Sequence, residues 1–247
     1  MSLSISYTNV LIDKTPSITD PGADEFAEYI SDPDHSLNYT SGTTEQDFSI
    51  NYGSQSGISY VAVSGHNAAT SAPCHINLYD GTSLIDSVYI KRNNNIMFTF
   101  TERNFTQLII EFAAVLNSSE ITLSFIAAGK HFEITTGEQA GYKRLWLLRN
   151  TTQKTTKNLQ SAPVSSIKKR KALVGNLSLP HQLKEFTEDD WQDFIDFTFE
   201  QPFFIKEQTA IPESTYTCFD AVHDIKAHPQ TRKLNAITLK FNAYNGL

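Results

Sequence analysis

ISYVAVSGHNAATSAPCHINLYDG, residues 58–81, contains two strands and the loop that joins them. Ile58–Gly65 is an apolar run with small residues at its end, the composition of a buried strand. HINLYD (75–80) places Ile76 and Leu78 at period two between polar neighbours, as a strand with one covered face does. The stretch between them carries Gly, Asn, Ser and Pro, which open and close turns for separate physical reasons. The same alternation recurs on either side, in FSINY (48–52), LIDSVYIK (84–91), NIMFTFT (95–101), QLIIEFAAV (107–115) and ITLSFIAAG (121–129). Seven short strands with no helix long enough for a βαβ crossover predict a β-sandwich or jelly roll and argue against a parallel doubly wound sheet.

The second half reads as α+β. Strands are predicted at KHFEIT (130–135), YKRLWLLRN (142–150), KALVGNLSL (171–179), FFIKE (203–207), STYTCFDAV (214–222) and NAITLKFNAY (235–244). One helix is predicted over 187–200. Thr187 is its N-cap, with Asp190 three residues on. Trp191, Phe194 and Ile195 form the apolar stripe that makes its core, and Pro202 ends it. Residues 150–171 are polar and read as a loop or extended arm that ends in the basic run Lys168, Lys169, Arg170 and Lys171. Residues 16–47 read as loop, with a short helix near Ala23–Ile30. The predicted fold is therefore mainly β: an N-terminal jelly-roll β-sandwich, then a C-terminal β-sandwich or split barrel with one helix. The expected domains are an extension over 1–37, the jelly roll over 38–135, and the α+β domain over 136–247 with its arm.

Charge divides at the same place. Residues up to Gly137 carry five Lys/Arg against fifteen Asp/Glu, and the remainder carries fifteen against twelve. With 247 residues, 40% hydrophobic and 19% charged, the chain has the material for a packed core and is not a disordered chain. Cys74 and Cys218 are its only cysteines, read as buried free thiols of a protein made in a reducing cytoplasm. No basic stretch followed by an apolar one opens the chain, so no secretory leader is expected. No window approaches the roughly 18 apolar residues of a spanning helix, so no membrane insertion is expected.

GxSxG, HExxH, Walker A and GxGxxG are all missing, and Asp189/Asp190 fall where a helix's first turn favours acids. No catalytic residue, cofactor or enzymatic activity is expected. His66, His75 and Asp80 fit no standard metal spacing, so no metal site is expected. The basic run has no aromatic residues interleaved, and the chain has a net charge of −7, which argues against sequence-specific nucleic-acid binding.

The stretch at 58–81, with its Gly65-His66-Asn67 loop, resembles the galactose-binding-like, discoidin-type jelly rolls of tailed-bacteriophage tail proteins, and ITLSFIAAGKHFEI (121–134) resembles the close of that module. LVGNLSL (173–179), the acidic-start helix, QPFFI (201–205), STYTCFDA (214–221) and ITLKFNAY (237–244) are similar to the ring-forming domain of siphophage distal tail and tail-tip proteins. The two parts come in the opposite order to that of the best-known distal tail proteins.

The resemblance implies a structural virion protein of a phage tail tip, made in the host cytoplasm. It would form a ring homo-oligomer, a hexamer, continuing the tail tube and contacting the tail tube protein and tail hub or fibre proteins. Lys168, Lys169, Arg170 and Lys171 of the arm would then lie between subunits. The alternative is a carbohydrate-binding or receptor-binding module protein for host-surface carbohydrate. In that reading His66 and Asn67 are the candidate sugar-loop residues. Tyr60, Tyr79, Tyr89 and His66 are the available rings, although alternation assigns several of these four to the core.

Overall fold

The structure, a computed structural model, describes residues 2–19, 27–32, 39–40, 47–113, 120–134, 142, 144–145, 151–157, 163–170, 173–227 and 233–246. Numbered in chain order, the early strands are β1 Leu3–Ser6, β2 Ser17–Thr19, β3 Tyr39–Thr40, β4 Phe48–Asn51, β5 Gln55–His66 and β6 Cys74–Asp80. They continue with β7 Ser83–Ile90, β8 Ile96–Phe105, β9 Leu108–Ala113, β10 Thr122–Gly129 and β11 His131–Ile134. The later elements are β12 Thr151–Lys157, β13 Pro163–Arg170, β14 Leu173–Leu183, α1 Lys184–Glu188, α2 Asp190–Glu200, β15 Phe203–Lys206, β16 Thr215–Ala227 and β17 Leu234–Tyr244.

Three sheets stack face to face. The outermost has five strands in the order β2-β4-β9-β6-β7, the central one four in the order β3-β10-β5-β8, and the third six in the order β11-β1-β15-β16-β17-β14. Every strand pairing among the described residues is antiparallel. Between the first two sheets lies one core that includes Ile50, Val61, Val63, Ile76, Phe98, Ile110, Phe112 and Ile126. Residues of the opposite parity on the central sheet, Tyr60, Ala62, Met97, Phe125 and Ala127, meet Phe204 of the third sheet in a second apolar layer. The unbroken burial from Ile58 to His66 follows directly: β5 has another sheet on each of its faces.

Where that seam continues it is polar but satisfied. Ser64 Oγ lies 2.8 Å from Thr217 Oγ1 and 2.9 Å from the Tyr244 hydroxyl. Asn95 Nδ2 donates to Thr217 Oγ1 (2.9 Å) and to the Tyr244 carbonyl (3.1 Å), while its Oδ1 accepts from Gly65 N (3.2 Å). Gly65 has φ +66, and a Cβ there would collide with Ser124, so this position of the 58–81 stretch requires glycine.

The far face of the six-stranded sheet packs on α1 and α2. Trp191 and Phe194 are completely buried and Ile195 is half-buried against the same core. The Trp191 ring lies 5.0 Å from Phe194, 5.7 Å from Phe132 and 6.0 Å from Phe186, centroid to centroid, within the range where tilted and edge-to-face aromatic pairs stabilise each other.

Several expectations are corrected. The helical region starts at Lys184 and breaks at Asp189 (φ −100°, ψ −86°). Thr187 is not an N-cap: it lies buried inside α1 and its hydroxyl donates to the Leu183 carbonyl at 3.1 Å. Phe186 supplies the physical reason, because packing it against Phe132 and Trp191 requires the extra turn. Tyr142, Arg144 and Leu145 are not strand residues, contrary to the strand expected over 142–150; the rest of that segment lies outside the described residues. There the Glu207 carboxylate replaces a ladder partner, accepting from Leu145 N (2.6 Å) and from the Tyr142 hydroxyl (2.8 Å).

The extension expected over 1–37 is divided between layers. β1 sits between β11 and β15 in the third sheet, whereas Leu11 and Ile30 belong to the first core. β11, expected within the jelly roll, also pairs into the third sheet. Ala27–Ser31 forms a 3-10 turn where a short helix was expected; the start of that helix lies outside the described residues.

Candidate functional site

The loop expected to meet sugar serves the fold instead. His66 is fully buried, its Nε2 donates to the Asn94 carbonyl at 2.8 Å, and its ring meets Phe112 edge-on at 6.2 Å. Burial lowers its pKa to about 4, with the Asn94 bond pulling the other way. Asn67 Oδ1 accepts from Thr122 N (2.8 Å) and its Nδ2 donates to the Glu120 carbonyl (3.1 Å), so this side chain ties the loop to the start of β10. The sugar-loop assignment of His66 and Asn67 is thereby corrected. Tyr60 is also interior, and its hydroxyl donates to the Thr8 carbonyl at 2.6 Å.

Asp80 is taken by the β8–β9 turn. Its Oδ1 accepts from Thr106 Oγ1 (2.7 Å) and Thr106 N (2.8 Å), and Arg103 approaches Oδ2 at 3.4 Å. The Thr106 hydroxyl is the first reason its pKa is lowered. Among the described residues no group of three His, Cys, Asp or Glu side chains is placed to hold a metal, and no helix is long and apolar enough to cross a membrane.

The basic run has a backbone context. β12 and β13 form an antiparallel hairpin, with Thr151 opposite Arg170 and Gln153 opposite Lys168, so the expected arm is a two-stranded ribbon. Its strands pair only with each other among the described residues, and it leads into β14, an edge strand of the six-stranded sheet. Lys171 lies outside the described residues.

A different surface gathers chemistry. The outer face of the five-stranded sheet has no layer over it among the described residues. Strand register sets Thr19, Ser49, Glu111, Asn77 and Ser87 side by side in one row crossing all five strands. Three of these side chains interlock: Asn77 Nδ2 donates to Glu111 Oε2 (2.8 Å), and Ser87 Oγ donates to Asn77 Oδ1 (2.6 Å). The Tyr79 hydroxyl, from the next outward position on β6, donates to the same Glu111 oxygen at 3.1 Å. On the other side of the row His75 and Tyr89 stand opposite each other with ring centroids 4.8 Å apart, and Lys91 Nζ lies 5.9 Å from the Tyr89 ring. Tyr89 is 49% exposed and Leu84, beside Tyr79, is 55% exposed. The result is a polar strip with fixed donors and acceptors, flanked by aromatic rings open to solvent.

Tyr79 and Tyr89 were among the rings noted from sequence, and the structure places both outward. Their neighbours Asn77, Glu111 and Ser87 were missed, because sequence does not give the lateral strand order β4-β9-β6-β7.

No protein-family model matches the chain, and no curated protein matches it. Among solved structures, half of the chain is similar to chitosan-binding module 1 of a chitosanase/glucanase from Paenibacillus sp. IK-5, at 16% identity over 99% of that chain with a TM-score of 0.38. It is also similar to the Streptococcus pneumoniae fucose binding module SpX-3, at 12% identity over 98% of that chain with a TM-score of 0.38. A family 89 glycoside hydrolase from Clostridium perfringens matches 60% of this chain and 16% of its own, at 19% identity and a TM-score of 0.36. Likenesses of this size carry no statement about function.

Proposed function

We propose that this chain is a non-catalytic carbohydrate-binding protein whose sugar platform is the outer face of the five-stranded sheet. One observation carries the reading: the hydrogen-bonded row Glu111-Asn77-Ser87, flanked by Tyr79 on one side and by His75 and Tyr89 on the other, on a face that no other layer covers among the described residues. Sugars present an apolar ring face and a rim of hydroxyls. A ring such as Tyr89 suits the first, and polar groups already held in place by one another suit the second. A glycan array probed with the wild-type chain and with Tyr89→Ala tests it. Specific binding that Tyr89→Ala removes is expected; an array without specific binding overturns the reading.

A second reading, a subunit of a phage tail-tip ring within the virion, rests on the resemblance of the second half. It is favoured by the β12–β13 hairpin, which pairs with no other strand among the described residues and adjoins the open edge of β14. Unpaired edges and hairpins gain hydrogen bonds by strand addition from a neighbour, and a heterologous contact of that kind forms a ring when its rotation closes. Native mass spectrometry tests it: a closed oligomer supports the ring, and a monomer at high concentration overturns it.

A further inference from the structure

Among the described residues, the carboxyl group at the centre of the outer face has no cationic side chain paired with it. Glu111 lies on β9, the middle strand of the five-stranded sheet, and is half-buried. It accepts two neutral hydrogen bonds, from Asn77 and Tyr79, both at Oε2. Among the described residues no Lys, Arg or His side chain pairs with it; Lys91 sits over the Tyr89 ring at the far side of the platform. A carboxylate only accepts hydrogen bonds, whereas an ammonium only donates them and brings the compensating charge. In the register, Tyr89 and Glu111 are separated by two strand spacings and two residues along the strand, about 12 Å. One sugar ring cannot touch both.

Resting on the platform reading above, we infer that the ligand of this face is an oligosaccharide bearing free amines. One unit stacks on Tyr89 while the ammonium of another unit pairs with Glu111. Placing the ligand's charge at Glu111 also keeps it away from Lys91.

The experiment compares three β-1,4-linked oligomers that differ only at C2: glucosamine (amine), N-acetylglucosamine (acetamide) and glucose (hydroxyl). Each is titrated into the full-length chain by calorimetry at low salt, with oligolysine as a fourth probe. The glucosamine oligomer is expected to bind at least tenfold tighter than the other two. Glu111→Gln, which keeps the shape and the Asn77 and Tyr79 contacts, is expected to bring the three within about twofold of one another, and Tyr89→Ala to weaken all of them.

If the three oligomers bind the wild type equally, the platform stands and the amine inference falls. A preference that survives Glu111→Gln is bulk attraction of a polycation to an acidic chain, and it also overturns the inference. Oligolysine binding that is lost on Glu111→Gln makes the face a general cation site and overturns the sugar. If none of the oligomers binds, the amine inference falls, and the glycan array decides the platform reading separately.

Discussion

The central and outer sheets share one hydrophobic core but differ in what covers their other side. The four-stranded sheet has a sheet on both faces, so Ser59–His66 shows no alternation in burial. Among the described residues the five-stranded sheet is covered once, so β9 alternates strictly between buried and half-exposed residues, and β6 keeps every second side chain, His75, Asn77 and Tyr79, at the surface. Polar groups on the central sheet are therefore held against the third sheet, as Ser64 and Asn95 are. Those on the outer sheet bond among themselves and remain available. The same kind of strand thus serves as scaffold in one layer and as a binding surface in the next, and the third layer decides which.

The largest expected effect tests the scaffold side. Trp191→Ala leaves a hole among Phe132, Phe186 and Phe194, and the cost expected for a large buried aromatic is about 3–5 kcal/mol, read from the denaturant midpoint. Phe199, on the same helix but 82% exposed, gives the contrast: Phe199→Ala is expected to change stability by no more than about 0.5 kcal/mol. Equal losses would mean that the helix does not divide into a covered and an open face.

Acid is expected to have the next largest effect. Burial holds His66, His131 and His223 down to about 4 from an ordinary value of 6.5; beside His131, Lys206 adds to the depression. Each is neutral in the folded chain at a pH where the unfolded chain binds a proton. Their contribution is complete above pH 6.5 and is lost as pH falls towards 4. His66, fully buried, accounts for about 3 kcal/mol of that loss. Melting temperatures measured across this window are expected to fall with acid in the wild type and to fall less in His66→Gln. A flat profile would show that the imidazoles charge without cost.

Much of the scaffold was legible from sequence because its signal is local. Strands between Phe48 and Gly129 show themselves by period-two alternation or by a continuous apolar run, and turn residues bound them. The third sheet was less legible, because it draws Leu3–Ser6, His131–Ile134 and Phe203–Lys206 from distant parts of the chain. LSIS, at the start of the chain, has nothing in its own pattern to announce β11 and β15 as its neighbours. Thr187 misled for a related reason. It is a good capping residue by type, but tertiary packing of Phe186 outweighs the local preference and carries the helix back to Lys184. At the candidate site Tyr79 and Tyr89 were noted as rings, while their outward direction and the adjacency of Asn77 and Glu111 required the sheet layers and the strand order.

The seam between the layers is the middle case. Asn95→Ala removes four hydrogen bonds, to Ser64, Gly65 N, Thr217 and the Tyr244 carbonyl, at the seam between the layers. The expected cost is about 1–3 kcal/mol. If the three sheets unfold together, unfolding remains a single transition at a lower midpoint; two resolved transitions would show that this seam is what couples the third sheet to the other two.

The smallest effect on stability is expected where the effect on binding is greatest. Tyr89 is half-exposed, its ring touches His75 on one side, and its partners lie on the surface. Truncation to Ala opens no internal cavity, because there is solvent rather than protein on the ring's free face. The stability change is therefore expected to stay within about 0.5 kcal/mol. A sugar stacked on that face would lose its only broad apolar contact at this end of the row, so glycan binding should disappear from a variant whose melting curve matches the wild type. Tyr79→Phe sharpens the comparison further. It keeps the ring and deletes one donor to Glu111, so it is expected to leave stacking at Tyr89 intact and to alter only the ligand group that meets Glu111. Should Tyr89→Ala instead destabilise the chain as Trp191→Ala does, the outer face would be a covered surface, and the contrast between the two sheets would fail at the point where function was assigned.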